Sequence, residues 1–130
     1  GALWREHPTC IMQTHLAESE EEVAWVKRLF PDAPDYLGVY ERFGLVGPGA
    51  IFAPCIHLTD REVGLLAETA SVVAHCPTAN RFLQSGRCDV KRLLDTGVVV
   101  RLGTDVGAGH TFDVMEVAGE AEGVPRHTHG

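Results

Sequence analysis

The sequence predicts an α/β fold in which four parallel strands are each followed by a helix. Four short apolar runs alternate along the chain with stretches whose apolar residues recur at helical spacing. The connections between them are short and contain glycine, proline or polar residues. Such alternation is typical of a parallel sheet with right-handed crossovers.

The first predicted unit covers the strand "CIMQTHL" and the helix "SEEEVAWVKRLF". Ser19 is a candidate N-cap, and Glu22, three residues further on, completes the pattern of a capping box. After the break "PDAP", the segment "DYLGVYERFG" predicts a short helix that Gly44 ends.

Three further units follow in the same order. The predicted strands are "AIFAPCIHL", "SVVAHCP" and "VVVRLGTD". The helix after the first of these begins at the cap Thr59, with Glu62 in the capping-box position. The segment "TANRFLQSG" is predicted as a loop before a helix near "CDVKRLLDTG", and a last helix begins within "HTFDVMEVAGEA". We therefore expect one domain over residues 1–118 and a loose tail over residues 119–130.

Composition narrows the classes of function. The chain has 130 residues, 45% of them hydrophobic, which suits a single globular domain. Its net charge of −7 argues against nucleic-acid binding, which requires a basic patch. No apolar run approaches the roughly 20 residues of a membrane span, and the first residues lack a signal-peptide pattern. The four cysteines are scattered without a C-x-x-C pair, which favours a reduced, cytoplasmic chain.

Polar residues follow the predicted strands where catalytic groups of parallel sheets lie. His15 and Asp105 suit a zinc site, because imidazole and carboxylate are both zinc ligands. Glu18, close after His15, suits proton transfer. Taken singly, each residue has an ordinary explanation: a strand-end histidine, an acid in the first turn of a helix, and an aspartate in a turn. Their common position at strand ends favours an active site.

The blocks "MQTHLAESEEEV", "CIHLTDREV", "VVAHCPTANRFLQSG" and "VVVRLGTDVGAGHTFDVMEV" resemble successive motifs of the guanine deaminase family in the amidohydrolase superfamily. The resemblance runs from about Cys10 to about Ala118. It implies half of a (β/α)8 TIM-type barrel, strands five to eight, in an enzyme that hydrolyses guanine to xanthine and ammonia. It also implies that His15 and Asp105 bind zinc, that Glu18 and Asp105 are catalytic, and that all three bind the purine substrate.

The sequence departs from this family at three places. The H-x-H pair of zinc ligands on the family's first strand is missing, and His127-Thr128-His129 lies in the tail in the wrong context. Pro54 stands where the family has a histidine that orients the attacking water, and His57 matches a second histidine of that block. The segment after about Ala118 no longer resembles the family.

Three hypotheses follow. The chain is a fragment of a zinc-dependent guanine deaminase or of another purine or triazine aminohydrolase; it is a non-catalytic half-barrel remnant; or, from "GTDVGAG" alone, it is a phosphate-binding module. A full barrel has about 250 residues, so we expect little or no activity from this chain by itself. An open half-barrel has two sheet edges that need covering, and a homo-oligomer is one way to cover them.

Overall fold

A computed structural model of the protein describes residues 1–123. The strands are β1 (Met12–Leu16), β2 (Ala50–Pro54), β3 (Val72–His75) and β4 (Val99–Leu102). The helices are α1 (Ala2–Glu6), α2 (Glu20–Leu29), α3 (Tyr36–Arg42), α4 (Asp60–Glu68), α5 (Pro77–Phe82), α6 (Val90–Asp95) and α7 (Val114–Gly123).

The four strands form one parallel sheet in the order β1-β2-β3-β4, as the sequence predicts. The register sets His15 opposite Ala53 and Ala74 opposite Arg101. Since every strand runs the same way, all four carboxyl ends lie at the same edge of the sheet. The predicted parallel order of strand–helix units is therefore confirmed.

The apolar core lies between one face of this sheet and the helices. Leu16, Phe52 and Val73, one from each of three strands, are fully buried there together with Leu37 and Leu66 from the helices. Alternation along a strand places their neighbours in sequence on the opposite face.

That opposite face is the more open one. On β1, Gln13 and His15 are exposed, and Ile51 and Ala53 of β2 are half-buried. One face of the sheet is packed and the other is open. This arrangement is expected of strands that form only part of a barrel.

Both predicted N-caps, Thr59 and Ser19, cap their helices, but the capping box predicted at Ser19 is incomplete. Thr59 caps α4, and Glu62 returns the hydrogen bond to the Thr59 backbone N–H, so this capping box is complete. Ser19 caps α2 by accepting from the Glu22 N–H. The prediction of a capping box there is wrong in its second half, because the Glu22 carboxylate accepts from the N–H of Glu18 at 2.8 Å instead.

The sequence prediction missed two helices. The sequence predicts a loop over residues 78–86, yet α5 begins at Pro77, whose fixed φ suits the first turn of a helix. Helix α1 had no predicted counterpart. Helix α7 runs across the expected domain boundary at residue 118 as far as Gly123, and residues 124–130 lie outside the described residues. The division into domain and tail stays a prediction.

All four cysteines lie within the described range and are free thiols. Within residues 1–123, no helix has the length and apolar character needed to cross a bilayer.

Glu62 ties α4 to α3 and gives a testable stability prediction. Its carboxylate is buried and accepts from the Leu37 N–H at 3.0 Å and from both the N–H and the hydroxyl of Thr59, at 2.8 and 3.0 Å. Glu62→Ala leaves these donors without their acceptor, so we expect unfolding to require about 2–4 kcal/mol less. Urea denaturation measures this. The control is Glu68→Ala, an exposed acid of the same helix, which should shift stability by less than about 0.5 kcal/mol.

Candidate active site at the carboxyl ends of the strands

A cavity of about 520 Å³ opens at the carboxyl edge of the sheet. Its lining comes from β1, β2 and the segments after β3 and β4: Gln13, Thr14, His15, Ala53, Cys76, Gly103, Thr104, Asp105 and Val106. The cavity thus brings together residues more than eighty positions apart in the sequence, including His15 and Asp105.

His15 lies near the end of β1 with its side chain exposed. Its backbone carbonyl accepts a hydrogen bond of 3.0 Å from the Tyr40 hydroxyl, which anchors this strand end to α3. Gln13, two residues earlier, lies on the same face of the strand and lines the same cavity.

Asp105 follows β4 in a tight turn. Its φ of +48° is left-handed, a region that aspartate tolerates better than most residues. Its carbonyl accepts from the N–H groups of Ala108 and Gly109, at 3.1 and 2.7 Å. Gly109 is required by close approach, because a Cβ there would lie 2.3 Å from the Thr104 carbonyl oxygen. The "GTDVGAG" segment therefore shapes a turn that presents Asp105 at the cavity.

Glu18 lies in the segment between β1 and α2 and is not part of the cavity lining. Its backbone N–H donates to the Glu22 carboxylate, and its own Oε1 accepts a hydrogen bond of 3.1 Å from the Ser85 hydroxyl. The preceding residue, Ala17, has a φ of +53°, so the chain turns sharply as it leaves β1. Glu18 is half-buried and held at both its backbone and its side chain.

Cys76 brings a thiol to the cavity wall. Burial, reinforced by the nearby negative charge of Asp105, raises the pKa of Cys76 to about 11. The sulfur therefore remains a neutral thiol near pH 7 and does not act as a thiolate nucleophile. The adjacent His75 is buried, and burial lowers its pKa, so this imidazole is neutral at pH 7.

The residues of the cavity fit part of a zinc site. His15 and Asp105 provide one imidazole and one carboxylate, the donor types that zinc takes in catalytic centres. Within residues 1–123, no group of three or more His, Cys, Asp or Glu side chains is arranged to hold a metal ion. Catalytic zinc has three protein ligands as a rule, so these two residues form an incomplete set.

Neither Pro54 nor His57 adds to that set. Pro54 is buried at the end of β2 and does not line the cavity, whereas its neighbour Ala53 does. The His57 ring lies with Nε2 3.3 Å from the Ser85 carbonyl oxygen. His57 therefore contacts the loop around Ser85 and does not take the place of a histidine at residue 54.

We expect the isolated chain to bind zinc weakly, because two protein ligands leave half of a tetrahedral shell to water. Metal analysis after dialysis against zinc-free buffer should find far less than one zinc per chain. His15→Ala should remove the residual binding, and His7→Ala, which removes an exposed histidine of α1's end, should leave it unchanged. Near-stoichiometric zinc in the unmodified chain would contradict the expectation.

The structure brings some predicted site residues together and adds others. His15 and Asp105 line one cavity. Glu18 is three residues after His15 in the sequence, but it contacts Ser85 and does not line the cavity. The His127/His129 pair lies outside the described residues. Alternation along β1 could have identified Gln13 as a neighbour of His15. Ser85 had no such signal, because its partner Glu18 is 67 positions away.

The sheet and its helices agree with what comparison with known proteins finds. Residues 5–123 match the model of the amidohydrolase family. The chain belongs to this family. The fold class expected from the sequence, an α/β half of a (β/α)8 barrel, is confirmed by its solved structural neighbours.

Among its relatives are guanine deaminases, as the sequence motifs predicted. The guanine deaminase of Escherichia coli is 44% identical over 119 residues, which cover 92% of this chain and 27% of that protein. Its solved structure superposes with a TM-score of 0.93 over 96% of this chain and 29% of its own. This chain therefore spans little more than a quarter of the length of that relative.

Two other solved structures are informative about ligands. The guanine deaminase of C. acetobutylicum, solved with guanine bound in its active site, is 36% identical with a TM-score of 0.88 over 92% of this chain and 29% of that one. An adenosine deaminase from Xanthomonas campestris, solved with bound zinc, is 28% identical with a TM-score of 0.80 over 96% of this chain and 29% of that one.

Proposed function

We propose that this chain forms the part of a zinc-dependent guanine deaminase barrel that supplies His15, Glu18 and Asp105. The reaction is guanine plus water to xanthine plus ammonia. The observation that carries the proposal is that His15 and Asp105, far apart in sequence, line one cavity at the strand ends of a chain 44% identical to a guanine deaminase.

In this proposal the imidazole of His15 and the carboxylate of Asp105 would hold the metal. When bound, zinc lowers the pKa of water to about 7 and acts as a Lewis acid. Their positions suit this role, since both residues stand at the carboxyl edge of the sheet and are exposed to the cavity.

Glu18 would move the protons. The oxygen of water becomes the new carbonyl oxygen at C2 of the purine, and the exocyclic amino group leaves as ammonia. That exchange moves both protons of the water: one goes to the ring nitrogen N3 as the oxygen attacks C2, and the other goes to the departing amino nitrogen. A carboxylate held by a hydroxyl, as Glu18 is held by Ser85, can accept each of these protons from the water and donate it to the nitrogen.

The chain by itself should have little or no activity. It spans 27% of the E. coli relative, its cavity holds two of the expected ligands, and residue 54 is a proline without a group that could orient water. The rest of the barrel would have to supply the other ligands and cover the open face of the sheet.

A chimera tests the proposal. Residues 5–123 replace the matching segment of E. coli guanine deaminase, and ultraviolet absorbance follows the loss of guanine. We expect measurable deamination that His15→Ala or Asp105→Ala removes along with zinc. A folded, zinc-loaded chimera that leaves guanine unchanged, with or without a histidine at residue 54, would contradict it.

The same chimera distinguishes a second candidate activity. The likeness to a zinc-bound adenosine deaminase favours a test of other aminopurines. Adenosine, and a triazine as a more distant amine, are assayed in parallel at equal concentration. If kcat/KM for adenosine or the triazine is higher than for guanine, the proposed function becomes deamination of that substrate. If none of the three substrates is turned over, the result favours a non-catalytic half-barrel.

A further inference from the structure

We propose that Ser85 is a positioning residue for the Glu18 carboxylate, and that His57 fixes Ser85 in the place from which it does so. This inference rests on the proposed function in one respect only, the assignment of proton transfer to Glu18. The contacts themselves join three segments that follow β1, β2 and β3.

The contact between Ser85 and Glu18 is direct. The Ser85 hydroxyl donates to Oε1 of Glu18 at 3.1 Å, and both residues are half-buried. The backbone of Glu18 is held separately, because its N–H donates to the Glu22 carboxylate at 2.8 Å. With the backbone fixed by one partner, the Ser85 hydroxyl determines the rotation of the carboxylate.

Ser85 is itself held on both sides. Its N–H donates to the Asn80 carbonyl at 3.1 Å, which ties it to α5. Its carbonyl oxygen lies 3.3 Å from Nε2 of His57. Because a carbonyl can only accept, His57 makes this hydrogen bond as the tautomer or cation that has a proton on Nε2.

The backbone around Ser85 is built for a tight approach. Gln84 has a φ of +57° and Gly86 a φ of +117°, so the residues on both sides are left-handed. At Gly86 a Cβ would lie 3.1 Å from Cγ2 of Ile56, in the segment that also contains His57. A glycine is needed there for the loop to pack closely against the segment after β2.

The chemical consequence concerns the geometry of proton transfer. A carboxylate that turns freely spends little time in the one orientation from which it reaches both water and substrate nitrogen. A hydroxyl on Oε1 limits that rotation, so Oε2 stays in a constant place to take and release the proton. Supporting hydrogen bonds of this kind keep a catalytic group in its productive orientation.

The side-chain rotamer of Glu18 in the full 130-residue chain tests the inference, with neither zinc nor guanine present. NMR side-chain couplings report whether Glu18 occupies one rotamer or averages over several. We expect one rotamer in the unmodified chain and in Ser85→Thr, which keeps the hydroxyl. Ser85→Ala removes the hydroxyl, so Glu18 should no longer occupy one rotamer and should show averaged couplings. His57→Ala should show partial averaging, because it frees the Ser85 loop.

A matched control removes a hydroxyl elsewhere. The Thr96 hydroxyl donates to the Arg92 carbonyl in an exposed turn, so Thr96→Ala should leave the Glu18 couplings unchanged. If Ser85→Ala does not fold, Ser85→Cys, which keeps the side-chain size with a weaker donor, takes its place. A Glu18 rotamer that is equally fixed without the Ser85 hydroxyl, or equally averaged with it, overturns the inference.

This result is independent of the proposed activity. An ordered Glu18 that needs Ser85, in a chain whose chimera deaminates nothing, would leave the positioning contact intact and reject only guanine deamination. An active chimera in which the Glu18 side chain averages over several rotamers in the presence of Ser85 would support guanine deamination and reject only the positioning contact.

Discussion

Replacing Pro54 with histidine in a complete, zinc-loaded barrel is expected to raise kcat by about 10²–10³-fold, which corresponds to about 3–4 kcal/mol of transition-state stabilisation. Proline offers neither a donor nor an acceptor from its side chain. An imidazole at this position would hold the attacking water in line with the carbon. The effect should be on kcat and not on KM, since the group acts on the reacting water and does not hold the purine.

The place of residue 54 in the sheet makes this a demanding test. Pro54 ends β2, is buried, and pairs in register with Leu16, the residue after His15. Its neighbour Ala53 lines the cavity, whereas Pro54 does not. A histidine ring at residue 54 has to turn past Ala53 to reach the cavity, and the gain in kcat measures whether it does.

The measurement is kcat for guanine in the chimera with and without Pro54→His, at matched zinc content. Pro48→His is the control, because Pro48 is exposed in the loop before β2 and adds the same imidazole away from the cavity. It should leave kcat unchanged. If Pro54→His also gives no gain while zinc is stoichiometric, residue 54 is not the water-orienting position.

The order and direction of the strands could be predicted because they depend on short-range patterns. Runs such as "SVVAHCP" are apolar and β-branched, and between each run and the next lies a stretch with apolar residues at helical spacing. The N-caps Ser19 and Thr59 are local too, since a cap and its partner lie within three residues. The sequence therefore predicts the elements that local energetics specify.

The departures from prediction have equally physical causes. Helix α5 was missed because its six residues are too few for a hydrophobic period to be visible, although Pro77 at its start is a typical helix beginning. The second half of the Ser19 capping box failed because Glu22 had a competing donor, the N–H of Glu18, within reach. Neither outcome depends on a pattern longer than a single turn.

The candidate site divides in the same way. That His15 and Asp105 meet at one edge follows from the parallel direction of the strands, which the sequence specifies. That Ser85 meets Glu18, and that the Glu62 carboxylate reaches the N–H of Leu37, depend on how separate loops and helices settle against each other. Such contacts leave no trace in the spacing of residues along the sequence.

Glu18→Gln in the active chimera is expected to lower kcat by about 10²–10⁴-fold, the contribution that a general acid–base group typically makes, while zinc remains bound. Glutamine keeps the length of the side chain and an oxygen that can still accept from the Ser85 hydroxyl, so the local structure should survive. What it loses is the ability to take a proton and return it.

The control is Glu20→Gln, which makes the same change of charge at an exposed position of the first turn of α2 and should leave kcat within about two-fold, as expected of a surface substitution. Guanine loss and metal content, measured on the same samples, separate the two roles that an acid at this position could have. A Glu18→Gln chimera that loses its zinc would make Glu18 a metal ligand, and one that turns over guanine at the parent rate would place the proton carrier elsewhere, with Asp105 the next residue to test.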